Sequence, residues 1–501
     1  MAHSALKTYL AATPSDKINT AFVAYIANLE QTAAVGPEIA ASVVNELEAQ
    51  RSHLKLIASE NYCSLNTQAA MGNLLTDKYA EGVPDHRYYG GCENIDDVEK
   101  VAAKEACALF GAEHAYVQPH SGCDANMVAY WAILSAKIEA PILEKIGETN
   151  LSHLSDEQWE EIRVKLGNQK LMGLDYYSGG HLTHGYRQNV SSRMFQAHSY
   201  TVDEKTGLLD YDDLEKKAME VKPLILLAGY SAYPRAINFR RFREIADKVG
   251  AVLMVDMAHF AGLVAGKVFT GDEDPVKWAD VVTTTTHKTL RGPRGAIVMC
   301  KQPYAEFVDK GCPLVLGGPL AHMMAAKAIA LKEANTPAYR TYAQNVQKNA
   351  RILAAELIKL GLTIQTNGTD NHLMLINVAG LGLTGRQAET AMSECGITLN
   401  RNSLPFDPNG AWWTSGLRIG TPAVTTLGMG ETEMKEIARI IKLILDGAKP
   451  GVTDKGAPSK GKVIVDPKSK AEAVASVNKL LGKFVLYPEL DLEFLKKEFV
   501  K

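Results

Sequence analysis

Between residues 98 and 300, short apolar runs alternate with polar turns and helix-forming segments, and no other feature of this 501-residue chain restricts its fold as much. The helical segment VEKVAAKEACALFG leads into AYVQ at 115–118, and PHSGCDAN then opens another helix. KLMGL (170–174), PLILLAG (223–229), AVLMVD (251–256), DVVTTTT (280–286) and GAIVMC (295–300) follow. Strands alternating with helices bury their apolar runs on both faces, which predicts an α/β fold with an open, mostly parallel sheet flanked by helices. The chain is also too long for one core. Its pattern divides it into an N-terminal helical segment (1–59), a large α/β domain (60–335) and a smaller α/β C-terminal domain (336–501). Residues 131–169 read as a helical insertion, in which Ser155 and Gln158 have the spacing of a capping box. Residues 448–470, dense in Gly, Pro, Lys and Ser, read as a flexible linker.

Residues 1–35 are weakly patterned. A helix is predicted from Pro37, which follows Gly36, continuing through EIAASVVNELEAQRSHLKLI. Residues 60–95, rich in Tyr, Gly and polar side chains, read as irregular and surface-lining. The 54 basic residues nearly balance the 57 acidic ones, giving a net charge of −3. That balance argues against nucleic acid or an anionic membrane as the principal partner, since both require a concentrated basic field. AVLMVDMAHFAGLVAG at 251–266 comes closest to a membrane span, yet it carries Asp256 and His259. The N-terminus lacks the pattern of a secretory signal, and seven scattered cysteines form no C-x-x-C pair. These features imply reduced thiols and a cytoplasmic enzyme of small molecules.

Two features 32 positions apart carry the chemistry. The run AVLMVDMAH ends a predicted strand on Asp256 and places His259 three residues later. The run VVTTTTHKTLRGPRG carries a β-branched strand into His287 and Lys288 before a Gly-Pro turn. In an open parallel sheet, ligands bind beyond the carboxyl ends of the strands. A lysine there is partly desolvated, which lowers its pKa and frees the amine to form an imine. Pyridoxal phosphate chemistry needs such a lysine, with a carboxylate that keeps the pyridine nitrogen protonated. Singly, an acid at a strand end is most often a cap or turn former, and most lysines are solvated. Jointly, with the threonine run between them, they point to the cofactor. Ser121, Gly122 and Cys123, between a strand and a helix, offer backbone N–H groups to its phosphate.

At these residues the chain resembles serine hydroxymethyltransferases, pyridoxal-phosphate enzymes of fold type I. The resemblance is carried by LIASEN (56–61), KYAEG (78–82), RYYGGCE (87–93), QPHSG (118–122), GGHLTHG (179–185), VDMAH (255–259), VVTTTTHKTLRGPRG (281–295) and TSGLRIGTPA (414–423). It implies a large domain with a mostly parallel seven-stranded sheet and a smaller α/β domain. By resemblance, Lys288 holds the cofactor as an aldimine, Asp256 pairs with the pyridine nitrogen and His181 stacks on the ring. Ser231 and His259 lie by the phenolic oxygen with Asn126 nearby. His287, Gly317 and Gly318 belong to the cofactor's surroundings. Arg418 clamps the substrate carboxylate, assisted by Ser59 and Tyr89. Glu81 is the proton-shuttling acid, and Tyr79 shares its pocket. The implied reaction is reversible serine–glycine interconversion with tetrahydrofolate as one-carbon carrier, through a quinonoid intermediate, in a homodimer with shared active sites.

The chain departs from the family at several points. Cys123 replaces a second serine. Asp175-Tyr176-Tyr177-Ser178 replaces Leu-Ala-His-Gly, and Leu314-Val315-Leu316 precedes the two glycines that carry over. The altered 175–178 segment keeps folate-independent chemistry open, as a β-hydroxy amino acid aldolase or an alanine racemase. A non-catalytic relative is disfavoured by intact Lys288, Asp256, Arg418 and Glu81. Gly380-Leu-Gly382-Leu-Thr-Gly385 satisfies a dinucleotide fingerprint, but the capping-box spacing of Thr384 and Gln387 explains it without a ligand. His181 and His184 have the spacing of zinc ligands without an evident carboxylate partner, so no metal is expected.

Overall fold

The computed structural model describes residues 4–453 and 455–500. Seven strands form the main sheet: β1 (His114–Tyr116), β2 (Lys170–Leu174), β3 (Gln196–Tyr200), β4 (Ile225–Gly229), β5 (Val252–Asp256), β6 (Val281–Thr285) and β7 (Ala296–Cys300). Their order is β1-β7-β6-β5-β4-β2-β3, and β7 alone runs antiparallel to its neighbours β1 and β6. The apolar runs form strands because both of their faces are buried. Leu253 and Val255 enter one core cluster while Val252 and Met254 enter the one on the opposite face. Each fully buried aliphatic side chain contributes about 1.5–3 kcal/mol. The strand β3 escapes a reading based on apolar runs, because QAHSY lies at the sheet edge with only Tyr200 buried.

The parallel strands end on one edge, and the chain passes there between close neighbours. Gly229, at φ +129°, carries no Cβ because one would lie 2.1 Å from the Asp256 carbonyl oxygen. A Cβ on Gly122 would lie 2.8 Å from the Thr285 methyl, so glycine brings that helix start against β6.

A second, antiparallel sheet of four strands contains Leu373–Asn377 and Gly416–Gly420 and has its own apolar core. The helix from Pro37 ends at Ser52 rather than near Ile57, and Leu54–Lys55 then pairs in parallel with Ile397–Thr398. Leu54 and Leu56 thereby join the second core. The N-terminal residues are helical at Ala5–Ala12 and Thr20–Val35, where Phe22 and Ile26 pack with Leu495 and Phe499 from the C-terminus. Residues 131–169 are helical, and Ser155 and Gln158 form the capping box.

The expected flexible linker is instead a hairpin, Ala448–Val452 paired with Pro458–Val465, followed by the helix Pro467–Lys483. It has little apolar surface to bury and is fastened by side chains. Buried Gln387 donates to the Ser459 and Lys462 carbonyls at 2.6 and 2.9 Å, and Thr384 donates to Lys460 at 2.7 Å. Gln387 also closes the capping box with Thr384. Gly385, within the apparent dinucleotide fingerprint, is a packing glycine, since a Cβ there would lie 2.0 Å from Thr414 Oγ1. Replacing Gln387 with leucine leaves two hairpin carbonyls without donors. The expected cost is about 1–3 kcal/mol, measured by chemical unfolding, with faster proteolysis inside the hairpin.

Candidate active site

Asp256 ends β5 and is buried at the sheet edge. Its Oδ2 accepts hydrogen bonds from Asn126 Nδ2 at 2.9 Å and His184 Nε2 at 3.2 Å, and its Oδ1 accepts from the Ala258 N–H at 3.0 Å. Burial alone would raise its pKa. The His184 bond, the nearby imidazoles and the Asn126 bond outweigh burial and hold the carboxylate ionised well below the usual range. These three bonds occupy three of the about four lone-pair positions of a carboxylate, leaving one for a cationic N–H.

Asn126 stands beside Asp256, held there because Thr283 Oγ1 donates to its Oδ1 at 2.6 Å while its amide also donates to Thr183 at 2.7 Å. The turn after β2 brings in His181, whose Nδ1 pairs with Thr183 Oγ1 at 2.7 Å and accepts from the Thr183 N–H at 3.2 Å. Burial pushes the His181 pKa down to about 4, so the imidazole is neutral and flat within the field of both Asp256 and Lys288.

Lys288 follows β6 by three residues and is gripped from outside the sheet. Asn61 Nδ2 donates to its carbonyl at 3.2 Å and to Tyr342 Oη at 2.7 Å. Desolvation, opposed by Asp256 and reinforced by Arg418, pushes the Lys288 pKa down to about 8. The charge of Asp256 therefore reaches the Lys288 amine. Ser121 caps the helix Gly122–Leu134, accepting from the Asp124 N–H at 3.3 Å, and Cys123 is exposed on its first turn. His120 Nε2 and His287 Nδ1 are buried without a hydrogen-bond partner among the described residues. Burial lowers both pKa values, that of His287 to about 3.

Arg418 lies on the strand Gly416–Gly420 beside a cavity of about 260 Å³ also lined by Tyr176, His181, Ser231, Asn400 and Asn402. Its guanidinium donates to the Ser231 carbonyl at 2.7 Å and to Asn400 Oδ1 at 3.2 Å. No carboxylate pairs with it among the described residues, and burial pushes its pKa down to about 10. Ser59 is half-buried next to this strand, where Ala58 packs on Gly420 and the Leu56 carbonyl accepts from Gly420 at 2.8 Å.

Glu81, Tyr79 and Tyr89 do not join this centre within one chain. Tyr79 donates to Glu81 at 3.3 Å and its ring lies 4.9 Å from that of Tyr89. Both rings are about half exposed, at 52% and 47%. Gly317 is exposed in the neighbouring loop, and Gly318 lies between His120, which bonds its backbone, and the Tyr79 ring, 3.1 Å from where its Cβ would be. No hydrogen bond or ion pair links Glu81 to Lys288, Asp256 or Arg418 among the described residues.

Several participants were not legible as such. His184 and Thr183 order Asp256 and His181. His372, which no motif flagged, stacks on His259 at 5.6 Å with their nitrogens 3.4 Å apart. A carboxylate does accompany the His181–His184 pair, contrary to the sequence reading: ligand atoms of His181, His184 and Asp256 lie within 4.8 Å of one another. His184 nonetheless has both nitrogens engaged, Nε2 toward Asp256 and Nδ1 accepting from the His181 N–H at 3.4 Å, so it has no lone pair to give a metal.

An open sheet with an ionised acid ending one strand and a desolvated lysine beyond the next defines the class of fold type I pyridoxal-phosphate enzymes. A family model described as serine hydroxymethyltransferase matches residues 32–165 and 159–441, the two pieces meeting inside the helical excursion at 131–169. The chain is 66% identical over 501 residues to a protein named serine hydroxymethyltransferase from Treponema pallidum (strain Nichols), covering 100% of this chain and 87% of the relative. Proteins of the same name from Cutibacterium acnes (strain DSM 16379 / KPA171202) and Mycolicibacterium smegmatis (strain ATCC 700084 / mc(2)155) are 55% and 54% identical. They cover 94% and 96% of this chain, and 96% and 97% of the relatives. The chain belongs to the serine hydroxymethyltransferase family. No helix among the described residues is long and apolar enough to cross a membrane.

Proposed function

We propose that this chain interconverts L-serine and glycine, with tetrahydrofolate taking the hydroxymethyl carbon and pyridoxal phosphate bound at the sheet edge. The observation that carries this reading is that ionised Asp256, ending β5, acts electrostatically on Lys288, three residues beyond β6, whose pKa is depressed to about 8. The cofactor fits the residues present. Asp256 has one acceptor position left for a pyridinium N–H, and neutral His181 would offer a face to the ring. His120, next to the helix start at Gly122, has a buried Nε2 without a partner among the described residues, and a phosphate there would accept from Ser121, Gly122 and Cys123. When bound, the cofactor supplies an electron sink for charge developing at the amino acid's α-carbon.

The chain's own residues divide the remaining work. Lys288 would hold the cofactor through its amine, and the same amine would return a proton at the α-carbon. Arg418 would fix the substrate carboxylate, with Ser59 and Tyr89 at its margin. His259 and Ser231 would serve the phenolic side of the ring, with His372 stacked on His259 to orient it. Glu81 moves the proton of the serine hydroxyl. Tyr79, Tyr89 and Gly317 are exposed on one chain, with Glu81 and Gly318 part-buried beside them, and Leu74 is 84% exposed. That outward apolar and aromatic surface supports a homodimer in which each subunit lends these residues to the other's site.

The experiment is a glycine titration of the purified protein with and without tetrahydrofolate, following exchange of the glycine α-proton with solvent. Rapid exchange only with both ligands is the expected result. Exchange indifferent to folate would replace this reading with folate-independent aldolase or racemase chemistry, the alternative raised by the 175–178 segment. Glu81→Gln should lower folate-dependent turnover of serine about 10²–10⁴-fold, the usual effect of removing a general acid–base group. It should leave cofactor colour unchanged. Normal turnover in that variant would remove Glu81 from the proton path.

A further inference from the structure

The segment leading into the turn at 119–122 is held by buried polar groups whose hydrogen bonds go to protein carbonyls and side chains. On one side is Lys327, from the helix Ala321–Ala334, only 2% exposed. Its Nζ donates to the carbonyls of Val117 at 2.6 Å, Pro119 at 2.9 Å and Ala296 at 3.0 Å, using all three of its protons. No carboxylate pairs with it among the described residues. A Cβ on Gly295 would lie 2.5 Å from Lys327 Cε, so the chain keeps a glycine where the lysine passes.

On the other side is buried Gln118. Its amide donates to Glu99 Oε1 and to the Gly82 carbonyl, both at 2.8 Å, and its oxygen accepts from Tyr116 Oη at 2.9 Å. Glu99 is buried and also accepts from Arg87, which donates in turn to the carbonyls of Ala80 at 2.9 Å and Gly82 at 2.7 Å. Those two carbonyls flank Glu81. Joined through the backbone of residues 117–119, these two sets of bonds link the segment entering the turn at 119–122 to the loop that carries Glu81.

Resting on the cofactor reading above, we propose that Lys327, Gln118 and Glu99 are positioning residues that set the phosphate-binding turn and the Glu81 loop as one rigid unit. Gln118 is the joint, because its single amide group reaches both the Arg87–Glu99 pair and Gly82. If Glu81 serves the partner subunit's site, the same unit ties cofactor grip in one site to acid placement in the other. A residue acting only through general packing would weaken every ligand alike. A residue that aims the turn acts on the phosphate selectively.

The test uses full-length apoprotein and two variants, Gln118→Leu and Lys327→Met, so that failure of one to fold leaves the other informative. Affinities for pyridoxal phosphate and for pyridoxal are measured side by side. Either variant should lose about tenfold in affinity for the phosphorylated aldehyde, the effect of one buried charge-assisted hydrogen bond, while affinity for pyridoxal holds. In addition, the turnover loss caused by Gln118→Leu should shrink when Glu81→Gln is already present. Equal losses for both aldehydes, or turnover losses that simply multiply, overturn the positioning role. A wild-type protein that binds both aldehydes equally, or neither, overturns the cofactor reading instead.

Discussion

A Lys288→Ala protein should be colourless with pyridoxal phosphate and should lose at least about 10³-fold of its amino-acid turnover, since in the proposed function one residue supplies both covalent anchor and proton carrier. Absorbance of the reconstituted protein and its bleaching by borohydride read the first effect, and serine cleavage reads the second. A variant that stayed yellow and bleached normally would show that another amine holds the aldehyde. The pH dependence has a definite sign. With its pKa depressed to about 8, Lys288 is neutral in about one molecule in ten at pH 7, whereas an ordinary lysine at about 10.4 is almost wholly charged. Attachment of the aldehyde to wild-type apoprotein should therefore accelerate as pH rises through about 8. Asp256→Asn removes the main influence favouring the charged amine and should move that midpoint lower. Because the folded pKa lies below the unfolded one, the folded apoprotein binds fewer protons across the window between them. Lys288 thus makes the apoprotein more stable as pH rises from about 8 toward 10.

What could be read from the sequence, and what could not, follows from how local each interaction is. The central strands β4 and β5 announce themselves because both faces are buried and the run is largely apolar, and β6 does so by its β-branched residues. The edge strand β3 and the hairpin at 448–465 carry no such signal. β3 is held by pairing with β2, and the hairpin by Gln387 and Thr384 from more than sixty residues away in the chain. Asp256 and Lys288 drew notice because chemistry restricts which residues can stand at and just beyond the ends of adjacent strands. Their supporting groups did not. His184 reaches Asp256 from 72 residues upstream, and His372 reaches His259 from 113 residues downstream. The threonine run drew notice without explanation, and the structure gives each hydroxyl its own acceptor: Asn126 for Thr283, and main-chain carbonyls for Thr284, Thr285 and Thr286.

Arg418 leads to the second large effect, and here stability and function should separate. Removing a buried arginine that pairs with a carboxylate ordinarily costs several kcal/mol by leaving an unpaired charge. Arg418 has no such partner among the described residues, so the folded protein already bears the desolvation of a lone guanidinium. Among the described residues two of its five N–H donors are engaged, by Ser231 and Asn400, and the side chain lines the cavity. Arg418→Met should consequently melt no lower than wild type while its affinity for serine and glycine falls. The expected loss is about 2–5 kcal/mol, the range for truncating one member of a desolvated charge pair, seen as a rise in KM with a smaller change in kcat. Arg418→Lys should not restore binding, because a single ammonium cannot reproduce the planar fork that meets both carboxylate oxygens. A lowered Tm with unchanged KM would mean that this arginine serves the sheet rather than the substrate.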